Sequence, residues 1–432
     1  TRELSILFIC RFLQGVLNCG ITSICLTLLF SRLKSEHARE TGYAIFYGMI
    51  LCSGSLTSLV TAPLVDDYEY NALYKMIIYT FVPGAVLLLL LMNKVHLVRR
   101  VPLYQLDWTS FFLYAPMLLM IGYVLIYGQQ YYWLQDARIV GCILGIVLLA
   151  TTFVVRQIHR KRPFISMDVF KSRSFLFGIL LLAGLYLIRG SFNITTSFFS
   201  SVLGMDPLHT YELLSYNLVG IVIGSIMSAR LVIKRRPLQF IWLVGFFGLL
   251  VFHCSMYFLF TSEVDEVTFI APLIIQGWGA GMLLTPIVLF IISSVPESIG
   301  VSASTAGVFI RYTFFAMSTA LINYFSLYFT KTHAMRLSDG ISKVDNGLAE
   351  RLHTYQAALQ ARGLMADQAA KLAPGLLDRA IQKQAFLKYA MDYYELVAIL
   401  ILVLMLLIVM TPYIINRTVI NVKAKQPAAA TV

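Results

Sequence analysis

Runs of about 20 or more largely apolar residues recur eleven times in this sequence, at roughly 5–30, 43–64, 74–93, 109–127, 137–155, 175–199, 213–233, 239–261, 267–293, 301–329 and 392–416. One such run, coiled as an α-helix, crosses the hydrocarbon core of a bilayer. The runs do not alternate apolar with polar residues, so a transmembrane β-barrel is excluded. Composition closes the soluble alternatives: 58% of residues are hydrophobic and 13% are charged, against about 25% charged in a soluble domain. A water-soluble enzyme, a disordered chain and a secreted disulfide scaffold are thereby ruled out. The six cysteines lie in or beside apolar runs without a CxxC pair, which gives no disulfide framework and no metal site. The expected fold class is an all-α polytopic membrane helix bundle with about eleven spans.

The connections orient the bundle. Formal net charge is +12, which in a soluble chain would point to nucleic acid. Here the basic residues collect in alternate short loops: Arg32, Lys34 and Arg39; Lys94, Arg99 and Arg100; Arg156 to Arg162, Lys171 and Arg173; Lys234, Arg235 and Arg236; and the tail with Arg417, Lys423 and Lys425. The intervening short loops carry Asp66, Asp67 and Glu69; Asp136; Asp206 and Glu212; and Glu263, Asp265 and Glu266. The positive-inside rule makes the basic set cytoplasmic. Thr1 is then expected on the outer side and the C-terminus in the cytoplasm of a multi-pass plasma (inner) membrane protein, with the lipid bilayer as its partner and no nucleic acid.

One connection is long. In residues 330–391, Leu348, Leu352, Tyr355 and Leu359 recur at helical spacing, and Gly363 and Pro374-Gly375 punctuate the stretch. Two or three short amphipathic helices at the outer surface are expected, either capping a pathway or forming a solvated loop.

Charged groups at bilayer depth are costly, about 2.5–3.5 kcal/mol for a centred Arg on insertion scales, and so draw attention. Arg11 lies in the first run, Arg189 interrupts the sixth, and Arg311 lies in the tenth. Each can also bond neighbouring backbone or snorkel to an interface, and Arg311 is near enough to a helix end for that. Gln14, Asn18, Asn193, Asn217, Gln276 and Asn323 give several spans a polar side, as pathway lining or as glue between helices. Small residues at four-residue spacing (Ala44, Gly48 and Cys52; Gly141 and Gly145; Gly220, Gly224 and Ser228) mark close helix contacts. Gly277, Gly279 and Gly281 sit inside a span without a preceding strand, which speaks for packing rather than nucleotide binding. Tyr131, Tyr132 and Trp133 suit an interfacial aromatic belt. His253 stands alone in the eighth run, where a packed or interhelically bonded imidazole is expected. No HExxH, GxSxG or Walker loop occurs; no enzyme activity, cofactor or metal is expected.

At Arg11-Phe12-Leu13-Gln14-Gly15 the chain resembles the RxxQG motif in the fourth helix of major facilitator superfamily transporters. Further stretches resemble the fourteen-helix drug:proton antiporter branch. Phe81-Val82-Pro83-Gly84 is similar to the start of its sixth helix, Asp107-Trp108 to the opening of its seventh, and Gly128-Gln129 through Trp133 to its close. Pro163-Phe164-Ile165 with Phe170 to Phe175 is similar to the loop before its ninth helix. Gly277 to Pro286, then Arg311, resembles its twelfth and thirteenth, and Gln384-Ala385 with Asp392 resembles the lead-in to its last. The ordered series covers almost the whole chain. The antiporter motif of the fifth helix, Gly-Pro-x-x-Gly-Gly, survives here only as Gly54 in Gly54-Ser55-Leu56-Thr57-Ser58-Leu59.

The resemblance implies a chain that starts at the family's fourth helix. It implies three spans of an N-terminal bundle (1–106), a two-helix insertion between bundles (107–162) and a C-terminal six-helix bundle (163–432) with the outer loop 330–391. It implies a secondary active transporter exporting hydrophobic small molecules by alternating access, with a proton as coupling ion. Arg11 and Gln14 would serve a proton relay, and Arg189, Asn193, Asn217, Gln276 and Arg311 the pathway. No Asp or Glu lies near mid-bilayer. Two alternatives stay open: the same fold carrying an anionic substrate or using another driver, and an incomplete, inactive segment or scaffold. Substrate identity and protein partners are not legible.

Overall fold

The computed structural model describes residues 3–33, 37–67, 70–91, 107–160, 162–339 and 346–414. The loop charges at Lys34, Glu69, Lys94, Arg99, Arg100, Lys161, Arg417, Lys423 and Lys425, the side chains of Arg32, Arg39, Asp66 and Asp67, and Thr1 lie outside them. Among the described residues there is no strand. In lipid a backbone must satisfy its own hydrogen bonds, and a helix does so within one segment.

Thirteen α-helices follow in order among the described residues: α1 (Leu4–Arg32), α2 (Ala38–Asp67), α3 (Tyr70–Leu91), α4 (Trp108–Tyr127), α5 (Ala137–His159), α6 (Arg173–Gly190), α7 (Phe192–Ser201), α8 (Pro207–Ile233), α9 (Leu238–Leu259), α10 (Ile270–Ser293), α11 (Gly300–Asp339), α12 (Asn346–Ala361) and α13 (Ala366–Ile414). Ten described segments are long and apolar enough to cross a membrane, α6 and α7 counting as one; α3 adds a shorter apolar stretch, Ala72–Leu87. The eleven apolar runs all correspond to these helices. Side-chain caps mark several starts: Asp107 accepts from the Ser110 amide at 3.3 Å, Asp136 from Arg138 at 2.7 Å and Ser172 from Phe175 at 3.3 Å.

Two details differ from expectation. The sixth run is not one helix, because the chain turns at Ser191 between α6 and α7. The long connection is not two or three separate helices: residues 330–339 prolong α11, residues 366–391 belong to α13, and only α12 stands apart. With 49 residues, α13 is about 74 Å long, far beyond the ~30 Å hydrocarbon core. Pro374 and Gly375 lie inside it instead of ending it. The projecting parts of α11 and α13 are tied by His333 Nε2 and Asp392 Oδ2 at 2.7 Å.

The core lies among α6–α11 and α13. Trp242, Phe246, Leu249 and Phe252 of α9 meet Leu283, Ile287 and Phe290 of α10 and Tyr394, Ile401 and Ile408 of α13 in one buried cluster. The closest approach is α8 on α10, where a Cβ on Gly220 would stand 2.0 Å from the Ile274 carbonyl oxygen and one on Gly277 2.1 Å from that of Asn217. Backbones so near each other leave no room for any side chain, which explains the small-residue spacing on α8 and the glycines of α10. α2 lies across α8, with Gly48 facing Ser225. By contrast, α1 is exposed from Leu4 through Cys25, polar residues included.

The connections separate onto two ends. At one end Ser166 N donates to Ser302 Oγ, and Ser172 Oγ to the Ser294 carbonyl, which groups the Arg156–Arg173 connection with the start of α11. Gln239 reaches Ile408 there. At the other end His209 meets Glu266 at 2.6 Å, and Lys383 donates to the Val202 carbonyl. The described basic short loops thus share an end, opposite the acidic ones.

α4 and α5 pair, and a polar cluster fixes their basic end. Arg156 Nη2 donates to Asp107 Oδ1 at 2.9 Å, and Ser110 Oγ donates to Asp107 Oδ2 at 2.6 Å. Gln157 donates to Ser110 Oγ at 2.7 Å and accepts from the Phe164 and Ile165 amides at 2.6 and 3.2 Å. Desolvation raises the Asp107 carboxyl pKa, but the hydrogen bonds from Ser110 and Arg156 outweigh it and hold the group below the usual carboxylate range.

Candidate functional site

The seven candidate side chains fall into four places. Arg11 and Gln14 sit one turn apart on α1, and Arg11 Nη1 donates to Gln14 Oε1 at 3.0 Å. The other arm of the guanidinium reaches Tyr74 of α3 at 3.5 Å. This joins a cation, an amide and a phenol across two helices. The group is exposed along the helix surface.

Asn217 and Gln276 meet in the α8–α10 seam. Asn217 Nδ2 donates to Gln276 Oε1 and, at 2.9 Å, to the Leu273 carbonyl. The side chains are 4% and 5% exposed, so this structure closes them on each other instead of leaving them on a wetted wall. The neighbouring glycines draw the helices near enough for such short side chains to bridge.

Arg189 ends α6, half-buried, with its guanidinium 6.0 Å from the centroid of the Tyr186 ring. Among the described residues no carboxylate or carbonyl bonds it. Asn193, at the start of α7, is exposed. Between them Ser191 forms the turn that separates the two helices. Arg311 is half-buried, and its guanidinium lies 5.5 Å from the Tyr47 ring centroid of α2. Together they border a small pocket with Leu182, Val288 and Ile291. Its interior of about 10 Å³ is at the lower limit for one water. Arg311 thus joins α11 to α2, α6 and α10. No hydrogen bond or ring contact among the described residues links Arg11, Arg189 and Arg311 to one another.

Sequence reasoning missed the aromatic partners of these cations, Tyr47, Tyr74 and Tyr186. Tyr186 stands three residues before Arg189, a spacing that places both on one helical face. Nothing local marks Tyr47 or Tyr74. It also missed the polar group around His253, where Ser191, Thr195 and Tyr394 gather.

These helices, with cations and amides set in otherwise apolar spans, define a multi-pass membrane bundle. The sequence matches the Major Facilitator Superfamily over residues 3–322, and the chain belongs to that superfamily of membrane transporters. It is 26% identical over 190 residues to the multidrug transporter protein MdtP of Bacillus subtilis (strain 168), a stretch that covers 42% of this chain and 34% of that protein.

Proposed function

We propose that the chain works as a secondary active transporter of the fourteen-helix drug:proton antiporter branch. It would export hydrophobic small molecules through the plasma (inner) membrane by alternating access, driven by protons. The observation that carries this reading is the superfamily match across residues 3–322. The similarity to a multidrug transporter supports the substrate class. In this reading residues 1–106 belong to one bundle and 163–432 to the other, with α4 and α5 as the hairpin between them. Rocking of the two bundles would expose a midplane site alternately to each side. The basic ends of the helices face the cytoplasm.

Arg11 and Gln14 serve the proton relay, with Tyr74 as a third member. Arg189 and Asn193 flank the Ser191 turn and line the C-terminal half of the path. Asn217 and Gln276 join the lining only in a state where α8 and α10 part. Arg311 on Tyr47 holds the bundles together in the state described here.

The test is flux in reconstituted vesicles under an imposed pH gradient, with ethidium as a lipophilic cationic probe. Accumulation against its gradient is expected, abolished by a protonophore. Flux that survives collapse of the gradient removes proton drive. One observation favours a second reading: Arg189 has no carboxylate partner among the described residues, which suits an anionic group on the substrate. Transport of an anionic dye in place of ethidium selects that reading.

A further inference from the structure

His253 is 1% exposed on α9, and both its ring nitrogens are engaged. Nδ1 lies 2.7 Å from the Leu249 carbonyl oxygen. Nε2 lies 2.8 Å from Ser191 Oγ. Ser191 Oγ in turn lies 2.7 Å from the Ile188 carbonyl oxygen, in the last turn of α6. A carbonyl only accepts, so each of the two carbonyl contacts demands a proton from its partner.

Counting protons along this chain distinguishes the charge states of the ring. With the neutral ring protonated at Nδ1, Leu249 is satisfied, and the hydroxyl proton of Ser191 must choose between Nε2 and Ile188. With the neutral ring protonated at Nε2, Ser191 is free to bond Ile188, but the Nδ1 lone pair faces the Leu249 oxygen. Only the imidazolium satisfies all three contacts: Nδ1–H to Leu249, Nε2–H to Ser191, and the Ser191 hydroxyl to Ile188. We propose that His253 is a proton-binding site of this protein, and that the Ser191 hydroxyl couples its occupancy to the turn between α6 and α7.

The surroundings fit a site that gains and loses a proton. From α13 the Tyr394 ring lies 4.9 Å from the imidazole, centroid to centroid. A cation gains from the face of such a ring. Tyr394 also donates to the Ser191 carbonyl at 3.1 Å and pairs with Thr195, so it ties the turn residue and the first turn of α7 to α13. From the α6–α7 segment the charged residue next to Ser191 in sequence is Arg189, whose guanidinium lies by the Tyr186 ring. α10 carries no ionisable side chain over Ile270–Ser293. Tyr216 of α8 is exposed, as are Cys254 beside the imidazole and Glu395 beside Tyr394. No carboxylate is bonded to the ring, so burial works against the charged form and the hydrogen bonds alone support it. Loss of the proton from Nε2 makes that nitrogen a second acceptor for the Ser191 hydroxyl, in competition with the Ile188 carbonyl, and so weakens one stitch of the turn that carries Arg189. The site stands on its own geometry; only its consequence for flux rests on the transporter reading.

The protein labelled with ¹⁵N-histidine in lipid nanodiscs tests the site directly. The His253 resonance, assigned by its absence in His253→Gln, should pass from the neutral to the imidazolium shift as the pH is lowered. Ser191→Ala, which leaves the imidazole in place, should move the midpoint. An imidazole that keeps one protonation state throughout, or a midpoint unmoved by Ser191→Ala, overturns the proposal. If His253→Gln does not fold, the resonance that Ser191→Ala shifts carries the test.

In vesicles, His253→Gln should keep ethidium counterflow and lose pH-driven accumulation. Wild-type accumulation by that variant overturns the link to transport. A wild-type protein with a titrating His253 and no pH-driven flux sinks the proton-driven reading instead, and leaves the proton site standing.

Discussion

The guanidinium of Arg311 on α11 lies over the ring of Tyr47 on α2, with 5.5 Å between cation and centroid. The pair bridges a helix assigned to one proposed bundle and a helix assigned to the other. Cation–π contacts contribute about 0.5–1 kcal/mol when exposed and about 2 kcal/mol when desolvated. Arg311→Ala and Tyr47→Ala should each lower the thermal midpoint in detergent. A double-mutant cycle should return a coupling within that range, and additive effects of the two changes would remove the bridge from the account.

The α8–α10 seam makes a steric prediction. Gly277→Ala places its methyl against the Asn217 carbonyl oxygen, and overpacking of this kind costs about 1–3 kcal/mol. Gly141→Ala on α5 meets nothing within 4 Å and should be neutral or gain about 0.5–1 kcal/mol from helix propensity. Thermal unfolding of the two variants side by side checks the contrast. Equal midpoints would show that the seam yields freely.

Asp107 sets an acid limit on the α4–α5 hairpin. Its folded pKa lies below the ordinary value of 3.8, so the unfolded chain binds a proton first as pH falls. The stabilisation is fully present above the unfolded value and is lost as pH drops through the folded one. Asp107→Asn should cost about 1–3 kcal/mol, because it removes the charge facing Arg156 and puts an NH2 donor where one carboxylate oxygen accepts. It should also flatten the acid limb of stability against pH. An acid limb identical to that of the wild type would place the sensitivity elsewhere.

Arg11 separates function from stability. Its side chain is exposed on α1 and bonds only Gln14 and Tyr74 among the described residues. Arg11→Ala should change stability by no more than about 0.5 kcal/mol, as surface substitutions do, while pH-driven ethidium flux is lost. Normal flux by a well-expressed variant would reject the relay role.

Run length marked each described span, because about 20 apolar residues in a row have few other uses. The spacing of Gly220 and Gly224, and the cluster at Gly277, marked the α8–α10 contact before any partner was known, since only small residues allow backbones so close. The Arg11–Gln14 bond was legible for the same local reason, a separation of one helical turn. The end of α6 was not. Ser191 neither carries a proline nor follows one, and its turn is held by groups from α9 and α13. Nor was the extension of α11 and α13, because Pro374-Gly375 reads locally as a stop while the packed helix runs through it.

The sequence by itself determined which segments are long and apolar enough to enter a bilayer and where α8 and α10 approach closely, although it marked Gly141 equally and that position meets nothing within 4 Å. Those properties follow from hydrophobicity, charge and residue size read along one dimension. Only the tertiary structure decided that Arg311 faces Tyr47, that Asn217 closes on Gln276, and that His253 shares a proton chain with Ser191. Each of these depends on which helices become neighbours. That choice is made by the fit of whole faces, and no short stretch of residues records it.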